Sequence, residues 1–235
     1  MDMASLPRAA QLCRDAERAV RWHPGALPAM HGEIFASGCE ASGAGAALLM
    51  AQSGLEALGV QEHNLRSMLW VQDKAARRLG GRPYRAGLPE MWRRRVIHVA
   101  ANDPAEALFA LEEGVRCRDL ACVIGEIAGN PKALDFTASR RLSLAAERHG
   151  VMLLLVRLDA AADLSSARMR WRVEAVPSVP PCWNGEAPGD PAWRAELFRA
   201  RAHAPGMWVL RAEAGRLVQG PLQTVPAQSL SRSVM

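Results

Sequence analysis

Residues 31–58 run from a strand pattern through a glycine-framed turn into a helix pattern, and few folds accommodate that order. His31-Gly-Glu-Ile-Phe-Ala-Ser37 reads as the strand, Gly38-Cys-Glu-Ala-Ser-Gly-Ala-Gly45 as the turn and Ala46 to Leu58 as the helix. Glycines that open a helix let the backbone present free N–H groups and the positive dipole end to an anion. A working phosphate loop adds a lysine for the β- and γ-phosphates and a Ser or Thr hydroxyl for magnesium. Here Gly38-x-x-x-x-Gly43 keeps the frame, while Ala44 and Gly45 stand where those two residues belong. Gly38, Glu40, Ser42, Gly43, Ala44 and Gly45 therefore form a candidate phosphate loop stripped of its charge. Losing the two charge-assisted contacts removes about 1.5–3 kcal/mol each. The alternative is an inherited strand-to-helix turn with no ligand.

The chain around the loop alternates in the same way. Ser67–Gln72 and Val96–Ala100 read as strands, separated by polar, arginine-rich residues and a loop from Gly80 to Pro89. A helix then opens with Asp103 as N-cap, Pro104 at its first position and Glu106 three residues after the cap. Leu108, Leu111 and Val115 give it one apolar face. The unbroken apolar runs Leu120–Ile127 and Val151–Leu158 suit strands buried on both faces, with a helix between them, capped by Thr137 and ended by Gly150. Strands alternating with helices predict a mostly parallel sheet with helices on both faces. After Ala162 the pattern changes. Arg168–Val176 alternates, with Met169, Trp171, Val173 and Ala175 on one face and Arg168, Arg170, Arg172 and Glu174 on a solvated one. That pattern predicts an antiparallel strand, followed by a Pro/Gly-rich loop at 177–191 and antiparallel strands at Trp193–Arg201, Met207–Leu210 and Arg216–Gln219.

With 235 residues the chain suits one large domain at 31–220, preceded by a helix and linker at 1–30 and followed by a mobile tail at 221–235. The charge of +5 is carried almost wholly by arginine, since Lys74 and Lys132 are the only lysines. Arginine reads phosphate and carboxylate in a bidentate way, although an Ala- and Arg-rich composition also follows from genome base composition. The five cysteines have no zinc-type or thioredoxin-type spacing, and Cys117 and Cys122 lie in or beside apolar stretches. Cysteine usage and the lack of a basic-then-apolar leader point to a reducing cytoplasm. No metal or cofactor is expected. The weakly polar stretch from Ala41 to Leu55 is too short to span a bilayer.

Leu27-Pro28, His31-Gly-Glu-Ile-Phe35 and Gly38-Cys-Glu-Ala-Ser-Gly43 resemble the approach and phosphate loop of the RecA recombinase. The resemblance implies a RecA-like, P-loop NTPase-type fold with a degenerate site. Gly125 and Glu126 stand where that family has its magnesium-binding aspartate, and Asp73 or Lys74 lies near the place of its catalytic glutamate. A closer likeness is to the ImuA family of RecA-like (some SulA-like) inducible-mutagenesis proteins, over about residues 22–220. It is carried by Leu69–Asp73, Gly80–Tyr84, Ala110–Cys117, Met169–Val173 and Trp193–Arg201, and above all by Val123–Leu142. The likeness implies an accessory role in error-prone translesion synthesis. The implied partners are an ImuB-like homologue of Y-family polymerases and an error-prone C-family DNA polymerase, with RecA a further candidate. The implied setting is the cytoplasm, at the nucleoid after damage. An SOS cell-division inhibitor of SulA type and a weak DNA-dependent ATPase are the alternatives.

Three surface features compete for function. Lys132, Arg140 and Arg141 stand beyond a buried strand at the start of a helix and are candidate partner-binding residues; a salt bridge to Asp135 or Glu126 explains the arginines equally well. Arg93, Arg94 and Arg95 beside Trp92 are candidate DNA contacts, or a solvated approach to a strand. Ser42 and His31 are close in sequence, but no glycine-flanked nucleophile elbow supports a hydrolase.

Overall fold

A computed structural model describes residues 20–60 and 66–220. The expected tail at 221–235 lies outside them, as do residues 1–19 of the expected helix and linker at 1–30. The described chain is an α/β structure with one large mixed sheet. Its strands are β2 (His31–Ala36), β3 (Ser67–Gln72), β4 (Val96–Ala100), β5 (Leu120–Ala128), β6 (Met152–Leu158), β7 (Met169–Val176), β8 (Ala192–Ala200), β10 (Gly206–Glu213) and β11 (Arg216–Gly220). Two short strands, β1 (Val20–Arg21) and β9 (His203–Ala204), pair separately. The order across the large sheet is β11-β10-β8-β7-β2-β6-β5-β3-β4. From β4 to β7 all neighbours are parallel, and β8, β10 and β11 extend the sheet antiparallel.

The helices are α1 (Ser42–Ala57), α2 (Lys74–Gly80), α3 (Glu90–Arg93), α4 (Pro104–Arg116) and α5 (Phe136–His149). Strand alternation sends Met68, Trp70, Cys122, Ile124 and Val156 to a core shared with α1, α2 and α3. It sends Leu69, Val71, Val123, Ile127, Leu153 and Leu155 to a second core under α4 and α5. The first core continues without a break beneath the antiparallel strands, where Trp22, Trp171, Trp193 and Trp208 join it. Among the described residues no helix is long and apolar enough to cross a membrane.

Several local expectations need correction. The last core helix is capped by Asp135, which accepts from the Ala138 amide at 2.7 Å, and not by Thr137. Helix α1 begins at Ser42, four residues before the expected Ala46, because the second half of the glycine turn is already helical. The arginine-rich stretch after β3 holds α2, capped by Asp73 accepting from the Ala76 amide at 2.6 Å. Strand β7 is parallel to β2 and antiparallel only to β8, so it is the seam between the two halves of the sheet. Arg170, placed on the solvated face by its alternation, is buried. Cys122 is buried, but Cys117 is exposed at the end of α4.

Candidate functional site

Strand β2 is the middle strand of the nine, parallel to β6 and β7 on either side, and the turn after it delivers the chain into α1 at the carboxyl ends of the strands, where open α/β sheets bind ligands. The glycines are explained by packing. A Cβ at Gly43 would lie 2.7 Å from Val156 Cγ1 and 2.8 Å from the Ala36 Cβ, so only glycine lets α1 sit this close to β2 and β6. A Cβ at Gly45 would meet the Trp193 ring at 3.0 Å, and Ala44 packs against the same core. The two positions that lack lysine and hydroxyl therefore face protein.

One of the chain's own carboxylates reaches the backbone of the turn. The Gly38 amide donates to Asp159 Oδ1 at 2.9 Å. Asp159 follows β6 with φ +50°, and its amide donates to the Ala36 carbonyl at 3.0 Å, which carries the sheet pairing past the strand end. Its Oδ2 and the Leu79 side chain from α2 lie 2.5 and 2.8 Å from where a Gly38 side chain would start. Glu40 Oε1 accepts from the Ser42 hydroxyl at 2.7 Å and the Ala175 amide at 3.1 Å. Helix α1 has no side-chain cap of its own. The arrangement holds one carboxylate, Asp159, on the first glycine amide of the turn, with no lysine beside it.

Beside the turn, Glu126 of β5 is buried on the α1 side of the sheet. Its Oε1 accepts from Trp70 Nε1 at 2.6 Å and from Gln72 Nε2 at 3.1 Å. Gln72 also donates to the Gly81 carbonyl and bonds His98 Nε2 through its Oε1. Burial pushes the Glu126 carboxyl up to about 7, against the lowering effect of its two hydrogen bonds. Asp73, also buried, leaves Oδ2 without a partner after capping α2.

A second polar cluster, on the opposite face, has no signal in local sequence. Glu33 Oε2 accepts from Arg170 Nε at 2.7 Å, and its Oε1 accepts from the Ser165 hydroxyl at 2.8 Å and lies 3.9 Å from Arg157. Arg170 stacks near Phe35 and Phe198, and Ser165 bonds Ser139 of α5. His31 bonds Ser143 at 2.7 Å, and burial holds it neutral, down to about 4. His31 and Ser42 thus have separate partners.

The remaining candidates are scattered. Arg140 and Arg141 are exposed on α5, across the sheet from the glycine turn, and Lys132 is exposed in the loop before α5. Arg141 pairs with Glu112 of α4 at 3.3 Å, and not with Asp135 or Glu126. Arg93, Arg94 and Arg95 line a groove with Gln52 and Arg216 on the α1 side. The residues missed by sequence reading are Asp159, which fills the turn, and the Glu33 cluster. Only the Glu-Ile-Phe motif marked Glu33, and there as a strand residue.

Fold and turn together define an α/β protein whose glycine-framed turn joins a strand to a helix and bonds one of its own acidic side chains, Asp159. No family model matches the chain. Over 129 residues it is 36% identical to Protein ImuA of Caulobacter vibrioides strain NA1000 / CB15N, and equally to Protein ImuA of strain ATCC 19089 / CIP 103742 / CB 15. Each match covers 51% of this chain and 51% of the relative, so the chain spans about half the length of the curated relatives it matches. These matches bear out the likeness read from the sequence and support assigning the chain to the ImuA family.

Proposed function

We propose that this chain is a non-catalytic, RecA-like accessory protein of damage-induced mutagenesis, acting by contact with other proteins. The relatives named Protein ImuA support the process. The strand–glycine turn–helix on a strand with parallel neighbours on both sides supports the RecA-like reading. The observation that carries the loss of catalysis is the Gly38 amide bonded to Asp159, beside Ala44 and Gly45. Carboxylates at that position repel a polyphosphate, and the lysine that would offset them is absent. The partners this reading supplies are an ImuB-like polymerase homologue, an error-prone C-family DNA polymerase and possible association with RecA, in the cytoplasm.

The purified protein is expected to show no ATP hydrolysis above buffer, with or without single-stranded DNA. Turnover that disappears when Gly43 is altered would overturn the pseudo-enzyme reading. Affinity purification from damaged cells should retain a polymerase-like partner, and Arg140→Glu with Arg141→Glu should release it without changing the melting temperature. Retention of a tubulin-like division protein instead would favour the SulA-type alternative.

A further inference from the structure

Residues 74–95 carry Lys74, Arg77, Arg78, Arg82, Arg85, Arg93, Arg94 and Arg95 against Glu90 alone, a net +7 on a chain whose total is +5. The rest of the chain, with 21 Lys and Arg against 23 Asp and Glu, is therefore slightly net negative, and the net positive charge resides in this one connector. In the structure this connector runs along β4, the outer strand of the parallel half. Arg85 donates to the Val96 carbonyl at the start of β4, and Arg77 to the Ala101 carbonyl just past its end, each at 3.4 Å. Arg82, Arg77 and Arg85 converge on His98 in the middle of the strand, and after burial their field is the main influence holding that imidazole below its ordinary value. The belt continues into the groove of about 880 Å³ that Arg93, Arg94 and Arg95 from one segment line together with Arg216 at the start of β11.

Among the described residues Arg78, Arg82 and Arg94 are exposed and have no ion-pair partner. Gathering so many like charges in one connector is unfavourable unless an anion covers them. Within the belt, Tyr84 is 77% exposed. Its ring edge lies over Gly87, where a side chain would press on it at 3.2 Å. A large aromatic left in solvent between guanidinium groups is the combination that binds unpaired bases, the ring stacking and the arginines holding phosphate. A duplex offers its phosphates but not its base faces, so the exposed ring favours a single strand.

We propose that the belt from Lys74 to Arg95, with Tyr84 as its stacking platform and the Arg93–Arg95/Arg216 groove as its continuation, binds single-stranded nucleic acid. Its charged residues are distinct from Arg140 and Arg141, and the proposal does not depend on the partner reading above.

The test is fluorescence anisotropy of the full chain with a labelled oligothymidylate at low and moderate salt. Wild-type binding should weaken steeply with salt, as phosphate neutralisation releases counterions. Tyr84→Ala should weaken binding about tenfold, in line with the loss of one stacked base. Arg78→Glu, Arg82→Glu and Arg94→Glu combined should abolish it. Arg199→Glu, also on the surface, should leave it unchanged. Circular dichroism and melting temperature confirm that each variant is folded, which solvent-facing positions allow. No binding by wild type, or binding insensitive to the triple variant, overturns the proposal. So does displacement by polyglutamate as effective as by unlabelled oligothymidylate together with no effect of Tyr84→Ala, an outcome that identifies an acidic protein segment as the occupant.

Discussion

Glu126 and His31 are both buried and both shifted, and they bias stability in opposite directions over one pH range. Burial raises Glu126 from 4.5 to about 7, so the folded state holds that proton more tightly than the unfolded chain. Its contribution is greatest below about pH 4.5 and is lost as pH rises towards about 7. His31 is lowered from 6.5 to about 4, so the unfolded chain binds more protons between those values and stability rises with pH across that window. In the wild type the two slopes oppose each other between about pH 4.5 and 6.5. Glu126→Gln, which can still accept from Trp70 and Gln72, should leave melting temperature climbing with pH in that range. His31→Gln should leave it falling. Melting curves of the three proteins from pH 4 to 8 check this, and identical profiles would show that neither group governs the pH response.

At the level of elements, α1 is positioned by missing side chains more than by present ones. Gly43→Ala would push a methyl to within 2.7 Å of Val156, and Gly45→Thr would press on Trp193. Overpacking of this kind costs about 1–3 kcal/mol, or several degrees of melting temperature for a chain of this size. Restoring a phosphate-loop pattern with Ala44→Lys and Gly45→Thr should therefore lower thermal stability without creating ATP affinity, as scanning calorimetry and isothermal titration would show. The same elements mark what was legible in the sequence. Leu120–Ile127 and Val151–Leu158 announced themselves because strands buried on both faces need unbroken apolar runs, and Asp103-Pro104 marked a helix start. Helix α2 was missed because it is one short, polar, arginine-rich stretch with a single buried residue, Ala76. Arg170 was misplaced, and Asp159 overlooked, because their partners are 137 and 121 residues away, beyond any local pattern.

For the molecule as a whole, the antiparallel strands are part of the main core. Trp22, Trp171 and Trp208 meet edge to face with ring centroids 4.7–5.6 Å apart, and all three belong to the core that also holds Ile34, Ile124 and Val156. Glu33 of β2 bonds Arg170 of β7, the strand shared by both halves, and breaking a buried pair of this kind costs about 3–5 kcal/mol. The two halves of the sheet should therefore unfold together. Tryptophan fluorescence reports mostly on the seam and the antiparallel side, far-ultraviolet circular dichroism on the whole, and their denaturant midpoints should coincide. Separate midpoints would reveal an independently unfolding extension.

The two guanidinium bonds along β4 have a consequence for behaviour at high concentration. An outer strand with free carbonyls and amides is a template on which another chain can add a strand, the first step of edge-to-edge aggregation. Arg85 and Arg77 engage carbonyls at the start of β4 and just past its end, and the surrounding like charge keeps a second, equally basic copy away. Exposed Ile97, the second residue of the strand, would otherwise be an inviting apolar foothold. The arginines that crowd this edge thus also act as gatekeepers, so replacing them with neutral residues to simplify the protein would trade a charged rim for a sticky one.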